Sequence, residues 1–191
     1  MSTGDEDRPP PDWATCARAP GCIGIPVGST DGCFAHLGDD ERDRFLGGLV
    51  PGADIDMRGT ALTRILVDQL FDAVRNTDIG RPHVGHANFD RVLFADDIVI
   101  ERTAFGHGAS FRGATFTHPV RLTANAFTGP ALFDDAAFDH DVEMSGDTFG
   151  GDVTFRDARF GGQAPFSDVD FSGNVQLAGR GGLQRSVHHM R

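Results

Sequence analysis

Three cysteines and a histidine lie close together near the start of the chain. They are Cys16, Cys22, Cys33 and His36, in the string Cys-x5-Cys-x10-Cys-x2-His. These are all the cysteines of the protein. Three thiolates and an imidazole form a complete tetrahedral ligand set for zinc, with soft sulfur matched to the ion. Four protein ligands leave no open coordination position, so the zinc this pattern predicts is structural, not catalytic. Gly21, Gly24 and Gly32 flank the ligands and suit tight turns around a metal. The N-terminal stretch is acidic and lacks an apolar signal core, which predicts a cytoplasmic protein. An odd cysteine count in such a chain argues against a disulfide framework. Free thiols are the alternative, and the first gap of five is longer than zinc ligands usually leave.

No other residues converge on a chemistry. Gly-x-Ser-x-Gly, Walker and dinucleotide motifs do not occur. Asp96, His118 and His140 recur at intervals of 22 and would stack as a row, but such a row is more often a solvated corner than a metal site. The expectation is a protein that is not an enzyme.

The element that must position these residues is a repeat. Of 16 phenylalanines, 13 fall on one ladder: Phe89, Phe94, Phe105, Phe111, Phe116, Phe127, Phe133, Phe138, Phe149, Phe155, Phe160, Phe166 and Phe171. Ile100, Leu122, Met144 and Leu177 complete it, and its steps alternate strictly between five and six. Ile100, Leu122 and Met144 are 22 apart, so the true unit has 22 residues and four rungs. Two residues before most rungs stands a small or β-branched residue, such as Ala87, Val92, Ala109 or Ala131. In a strand that residue points the same way as the rung. Large and small side chains would then share one close-packed axis. This predicts an all-β solenoid, a quadrilateral β-helix of about four 22-residue coils, stacked about 4.8 Å apart. Separate strands in a sandwich would give irregular spacing instead. Gly113, Gly129, Gly151, Gly162 and Gly173 are expected to supply turn conformations at corners. Before the fourth column of rungs the small residue gives way to Thr103, Asn125, Asp147 and Val169, whose polar members need partners inside.

The units Ala87-Asn88-Phe89-Asp90-Arg91 and Gly113-Ala114-Thr115-Phe116-Thr117 resemble those of the pentapeptide-repeat proteins, in the variant with Phe at the centre. The resemblance implies a right-handed quadrilateral β-helix. It covers about half the chain. Some members of that family mimic DNA and act on type II topoisomerases, and some dimerise end to end. The Cys/His segment is similar to the N-terminal regions of actinobacterial pentapeptide-repeat proteins. Fold alone does not carry function with it.

The sequence predicts a polar, Pro-rich disordered segment 1–12, a Cys3His zinc module 13–38, a helical linker and N-terminal cap 39–83, the β-helix 84–177, and a flexible basic tail 178–191. Asp39 or Asp40 is expected to cap a short helix running through Leu49. Thr60 is expected to start a longer helix, Ala61 to Asn76, with Leu62, Ile65, Leu66, Leu70 and Val74 at helical spacing. This helix would cover the open end of the solenoid. The string from Pro51 to Gly59 resembles one repeat unit that joins the first coil, and Val84 begins the ladder proper.

The net charge of −11 argues against direct nucleic-acid binding, which needs a basic surface. No apolar run approaches the length that spans a bilayer. The partner is therefore expected to be another protein, with an end-to-end homodimer as a further possibility. The alternative is an acidic DNA mimic that binds gyrase or another DNA-binding protein. Asp96, Asp97, Glu101, Asp139, Asp141 and Glu143 would form its negative face, interrupted by Thr117, His118 and Arg121. On another column Asp90, Arg112, Asp134 and Arg156 alternate in sign and should pair instead.

Overall fold

A computed structural model describes residues 9–177. The N-terminal residues 1–8 and the basic tail 178–191 lie outside the described residues. Short strands, most of two residues, stack into four parallel sheets that form the faces of a solenoid. The first face has six strands, from Ile55–Asp56 to Val175–Gln176. The second has five, from Ala61–Leu62 to Arg159–Phe160. The third has four, Ile98–Glu101, Val120–Thr123, Val142–Ser145 and Phe166–Ser167. The fourth has six, ending at Asp170–Phe171, and contains the one antiparallel pair among the described residues, Arg75–Asn76 with Arg81–Val84.

The register explains the 22-residue unit. Phe94 pairs with Phe116, Phe116 with Phe138, and Phe138 with Phe160. Each rung thus sits on the corresponding rung one coil later, phenylalanine on phenylalanine in this column and Ile100, Leu122, Met144 and Phe166 in the third. Rings in the second column stack with centroids 4.5–5.0 Å apart. Rings in the fourth column do the same at 4.5–5.1 Å. These distances are the spacing of neighbouring strands. Every rung from Phe89 to Phe155 is buried, and the small residues Ala87, Ala114, Ala131 and Ala136 are fully so. Burial then fades: Phe160, Phe166 and Phe171 are half-buried, and Leu177 is exposed.

Two corner types account for the five/six alternation. In each five-residue step the residue two after the rung has a positive φ: Arg91, Arg102, Gly113, Ala124, Asp135, Gly146, Asp157 and Asp168. Among the six-residue corners of the ladder only Gly108 does so. The expectation that Gly129, Gly151, Gly162 and Gly173 supply turn conformations is therefore corrected. Those glycines allow close approach of coils. A Cβ on Gly151 would lie 2.5 Å from the carbonyl carbon of Gly129, and one on Gly173 would lie 2.4 Å from the Gly151 oxygen.

The N-terminal end is closed. Ile55–Asp56 pairs with Ala87–Asn88, so the string around Met57 does join the first coil. Helix α2, Arg64–Ala73, takes the place of that coil's third side. It starts at Thr63, whose hydroxyl accepts from the Leu66 amide. Asp96 accepts from its first amide, Arg64 N, at 2.9 Å. Val67, Leu70 and Phe71 are buried, and Phe71 meets Phe89 and Phe105 edge-on. The helix is shorter than expected at both ends. Ala61–Leu62 is a strand paired with Leu93–Phe94, which puts Leu62 on the solenoid axis. Arg75–Asn76 is a strand as well. Helix α1, Asp39–Gly47, is capped by Gly38, not by Asp39 or Asp40. The Gly38 amide donates to the Glu41 carboxylate.

Candidate metal centre

The four sequence-predicted ligands lie on three short, hydrogen-bonded pieces of backbone. Cys16 N donates to Gly24 O at 2.7 Å, and Ala17 N to Asp31 O at 2.9 Å. Cys22 closes a turn, its amide donating to Ala19 O at 3.1 Å, with Gly21 in the left-handed region. Cys33 precedes a single 3₁₀ turn, Phe34–His36, and His36 N donates back to Cys33 O. Fully buried Phe34 anchors that turn against Phe45 of α1, ring centroids 5.6 Å apart. Gly24 is required where it stands, because a Cβ there would lie 2.7 Å from the Cys33 Cβ.

The segment is tied to the solenoid. Ile25 N donates to Arg58 O at 2.8 Å. Gly59 packs so closely on Ile23 that a Cβ would meet its carbonyl at 2.4 Å. Trp13 donates from Nε1 to Ile23 O, and the guanidinium groups of Arg58 and Arg91 lie over its ring. Arg18 holds the loop to α1 through Asp31 and the Glu41 carboxylate. Its hydrogen bonds bring Glu41 down to about 2.

Thiol and imidazole atoms converge. Cys22 Sγ lies 3.8 Å from Cys33 Sγ. His36 Nδ1 lies 3.5 Å from Cys16 Sγ and 3.3 Å from Cys33 Sγ. All four ligand atoms fall within 4.8 Å of one another. A tetrahedral zinc with ordinary bond lengths has S···S edges of about 3.8 Å and S···N edges of about 3.5 Å. The donor set therefore fits the group its chemistry implies, and the four residues can hold a metal. Burial, with its neighbours Cys22 and Cys16, raises the Cys33 thiol to about 12. Burial also acts to raise Cys16, but hydrogen bonds from the backbone at Cys33 and Arg18 and from His36 outweigh it and bring that thiol to about 6. A bound cation would hold all three as thiolates.

Other predicted positions are placed differently. The rings of His118 and His140 do stack, at 6.2 Å. Asp96 serves the α2 N-terminus instead of joining them, and among the described residues only the Cys/His set has metal-ligand geometry. The inward polar column is bonded along the stack, except for Asp147 Oδ2, which has no partner. Thr103 N donates to Asn125 Oδ1 at 2.9 Å, and Asn125 N and Nδ2 both donate to Asp147 Oδ1 at 2.8 and 2.9 Å. The alternating column pairs as expected, with Asp134 between Arg156 at 2.8 Å and Arg112 at 3.7 Å.

Sequence reasoning missed a groove of about 710 Å³ between the Cys/His segment and the second solenoid face. Pro20, Cys22, Ile23 and His36 form one wall, with Leu93 and Ala137 on the other. It also missed Met57 and Leu62 as axial residues, both fully buried. The signal was present, since they are five apart with Gly59 at the positive-φ place.

A four-faced parallel solenoid with stacked phenylalanines and a Cys/His segment docked beside it defines a repeat protein. The family model for pentapeptide repeats, nine copies, matches residues 126–170. The chain carries pentapeptide repeats, and its ladder extends to either side of that match. Neither the curated proteins nor the solved structures yield a match to it. No helix among the described residues is long and apolar enough to cross a membrane.

Proposed function

We propose that the chain is a non-enzymatic protein-binding or scaffold module whose N-terminal segment is held by a structural zinc ion. The groove beside the second face carries this reading. There a rigid sheet presents Leu93, 40% exposed, with Thr115 and Ala137 beyond it, opposite the Cys/His wall. Solenoid faces of this kind serve as extended binding surfaces. The cytoplasm is the fitting compartment, because reducing conditions keep thiolates free for zinc. Affinity capture from the source cells tests the binding reading. The wild-type chain should retain a partner protein that a Leu93→Glu, Ala137→Glu variant loses; equal capture by both would remove the groove from the reading. Metal analysis tests the zinc: one zinc per chain is expected, and none in Cys16→Ser.

The half-buried Phe166 and Phe171 at the C-terminal end support an end-to-end homodimer, which sedimentation would show. The acidic DNA mimic has less support. Asp97 pairs with Arg64 and Glu143 with Arg121, so its negative face is partly neutralised. Purified protein at micromolar concentration is expected to leave gyrase supercoiling unchanged.

A further inference from the structure

We propose that the Cys/His centre is a thiol switch, in which hydrogen peroxide joins Cys22 to Cys33 as a disulfide and expels the metal. The proposal rests on the zinc reading above. It is carried by an asymmetry in the site. Cys16 and Cys33 are buried, at 5% and 0% exposure, whereas Cys22 is half-buried and its turn lines the open groove. A small oxidant entering the groove meets Cys22 first. Directly behind it, at 3.8 Å, lies the Cys33 sulfur. A disulfide needs about 2.05 Å, so the sulfurs must close by roughly 1.8 Å. Cys22 rides on a turn held by one backbone hydrogen bond of 3.1 Å with Gly21 inside it, which is the piece best able to move.

The chemistry balances in two displacements. The Cys22 thiolate attacks one peroxide oxygen, the O–O bond breaks, and hydroxide leaves, giving a sulfenic acid. The Cys33 thiolate then attacks the Cys22 sulfur, the S–S bond forms, the S–O bond breaks, and a second hydroxide leaves. Two electrons pass from the two thiolates to peroxide, and two solvent protons convert the hydroxides to water. Cys16 and His36 remain as two ligands, too few to retain zinc. The wall formed by Pro20 to Ile23 moves with Cys22, so oxidation reshapes the groove.

The test uses the full, zinc-loaded chain. Peroxide is added stepwise, zinc release is followed with a chromogenic chelator, and disulfides are mapped by mass spectrometry after alkylation. One zinc should leave per Cys22–Cys33 disulfide, and both changes should reverse with dithiothreitol and added zinc. Cys22→Ser should slow loss of the remaining thiols at least tenfold, with the β signal in circular dichroism retained. Zinc that stays bound while peroxide oxidises free cysteine at the same concentration would overturn the switch, as would a Cys16–Cys33 disulfide with Cys22 left free. A chain that purifies without zinc refutes the metal reading separately. On such a chain a Cys22–Cys33 disulfide still supports the thiol pair, and its absence overturns it.

Discussion

The solenoid and the Cys/His segment solve the same problem by opposite means. In the solenoid each coil repeats the contacts of its neighbour: phenylalanine on phenylalanine, alanine on alanine, with strand pairing along four faces. Removing one contact leaves many equivalents. The Cys/His segment has Phe34, Val27 and Leu37 as its buried apolar side chains beside the cysteines themselves. That is little apolar cover for the fixed backbone from Cys16 to Leu37, and ordering each residue costs about 1–2 kcal/mol. Small units of this kind generally need a metal or cross-link. The difference predicts where stability is concentrated: spread over many rungs in one region and, on the zinc reading, gathered into four ligand atoms in the other.

Metal removal should separate the two regions most sharply. Structural zinc contributes on the order of 10 kcal/mol in small metal modules. A chelator, or Cys33→Ser, is expected to expose the amides of Cys16, Val27 and His36 to hydrogen exchange. Those of Phe111 and Phe133, bonded to Leu132 and Thr154 in the solenoid, should keep their protection. Loss of protection in both regions together would show one cooperative unit, joined through Ile25 N and Arg58 O.

Within the solenoid, position along the axis sets the next effect. Phe127 is 1% exposed and stacks between Phe105 and Phe149. Phe127→Ala should cost about 3–5 kcal/mol in urea unfolding. Among the described residues Phe171 touches a ring on one side only, Phe149 at 5.1 Å, and it is half-buried. Phe171→Ala should cost roughly 1 kcal/mol, since less apolar area is lost. Equal costs would mean that the C-terminal end is covered in solution.

The two regions also differed in how legible they were. The ladder could be read because one residue type recurs at fixed spacing, and stacking rewards identical neighbours. The Cys/His cluster could be read because its residue types are rare and close in sequence. Ala61–Leu62 reads as helix because Leu62 satisfies both patterns: helical spacing with Ile65 and Leu66, and the five-residue step from Met57. A two-residue strand has no local signal, and only pairing with Leu93–Phe94 decides it. Glycine identity likewise cannot separate a positive φ, as at Gly113, from close approach, as at Gly151. The groove depends on how the Cys/His segment docks, and no spacing encodes that.

Asp147 is a polar exception inside the regular region. It is fully buried, its Oδ1 accepts twice from Asn125, and its Oδ2 has no partner. Burial pushes its pKa up to about 6, against the hydrogen bonds from Asn125 and Ser145 that lower it. One coil earlier, Asn125 Nδ2 donates to Ile100 O at 2.8 Å. Asp168 and Asp170 on the next coil are exposed, and Val169 between them is not ionisable. The folded pKa lies above the unfolded one, so the folded state binds more protons in between. The stability from Asp147 is complete below about pH 4 and is lost as pH rises through about 6. The loss is on the order of 2–3 kcal/mol. Asp147→Asn should flatten that part of the pH profile and raise stability at pH 7. An unchanged profile would show that the carboxylate is solvated in the folded protein.

The smallest predicted effect tests the corners. Ala124 has φ 55°, a conformation that costs a residue with a Cβ about 1–2 kcal/mol. One coil later the same place is taken by Gly146, at φ 66°. Glycine relieves the strain but adds entropy to the unfolded chain, so the two effects partly cancel. Ala124→Gly should raise stability by about 0.5 kcal/mol, and Gly146→Ala should lower it by a similar or larger amount. Both are read as shifts of the urea midpoint at constant slope. Opposite signs at equivalent places would show that each coil carries its own strain and adds to the whole independently, as a one-dimensional repeat should. The Cys/His segment has no such reserve: its four ligands have no equivalents one turn away.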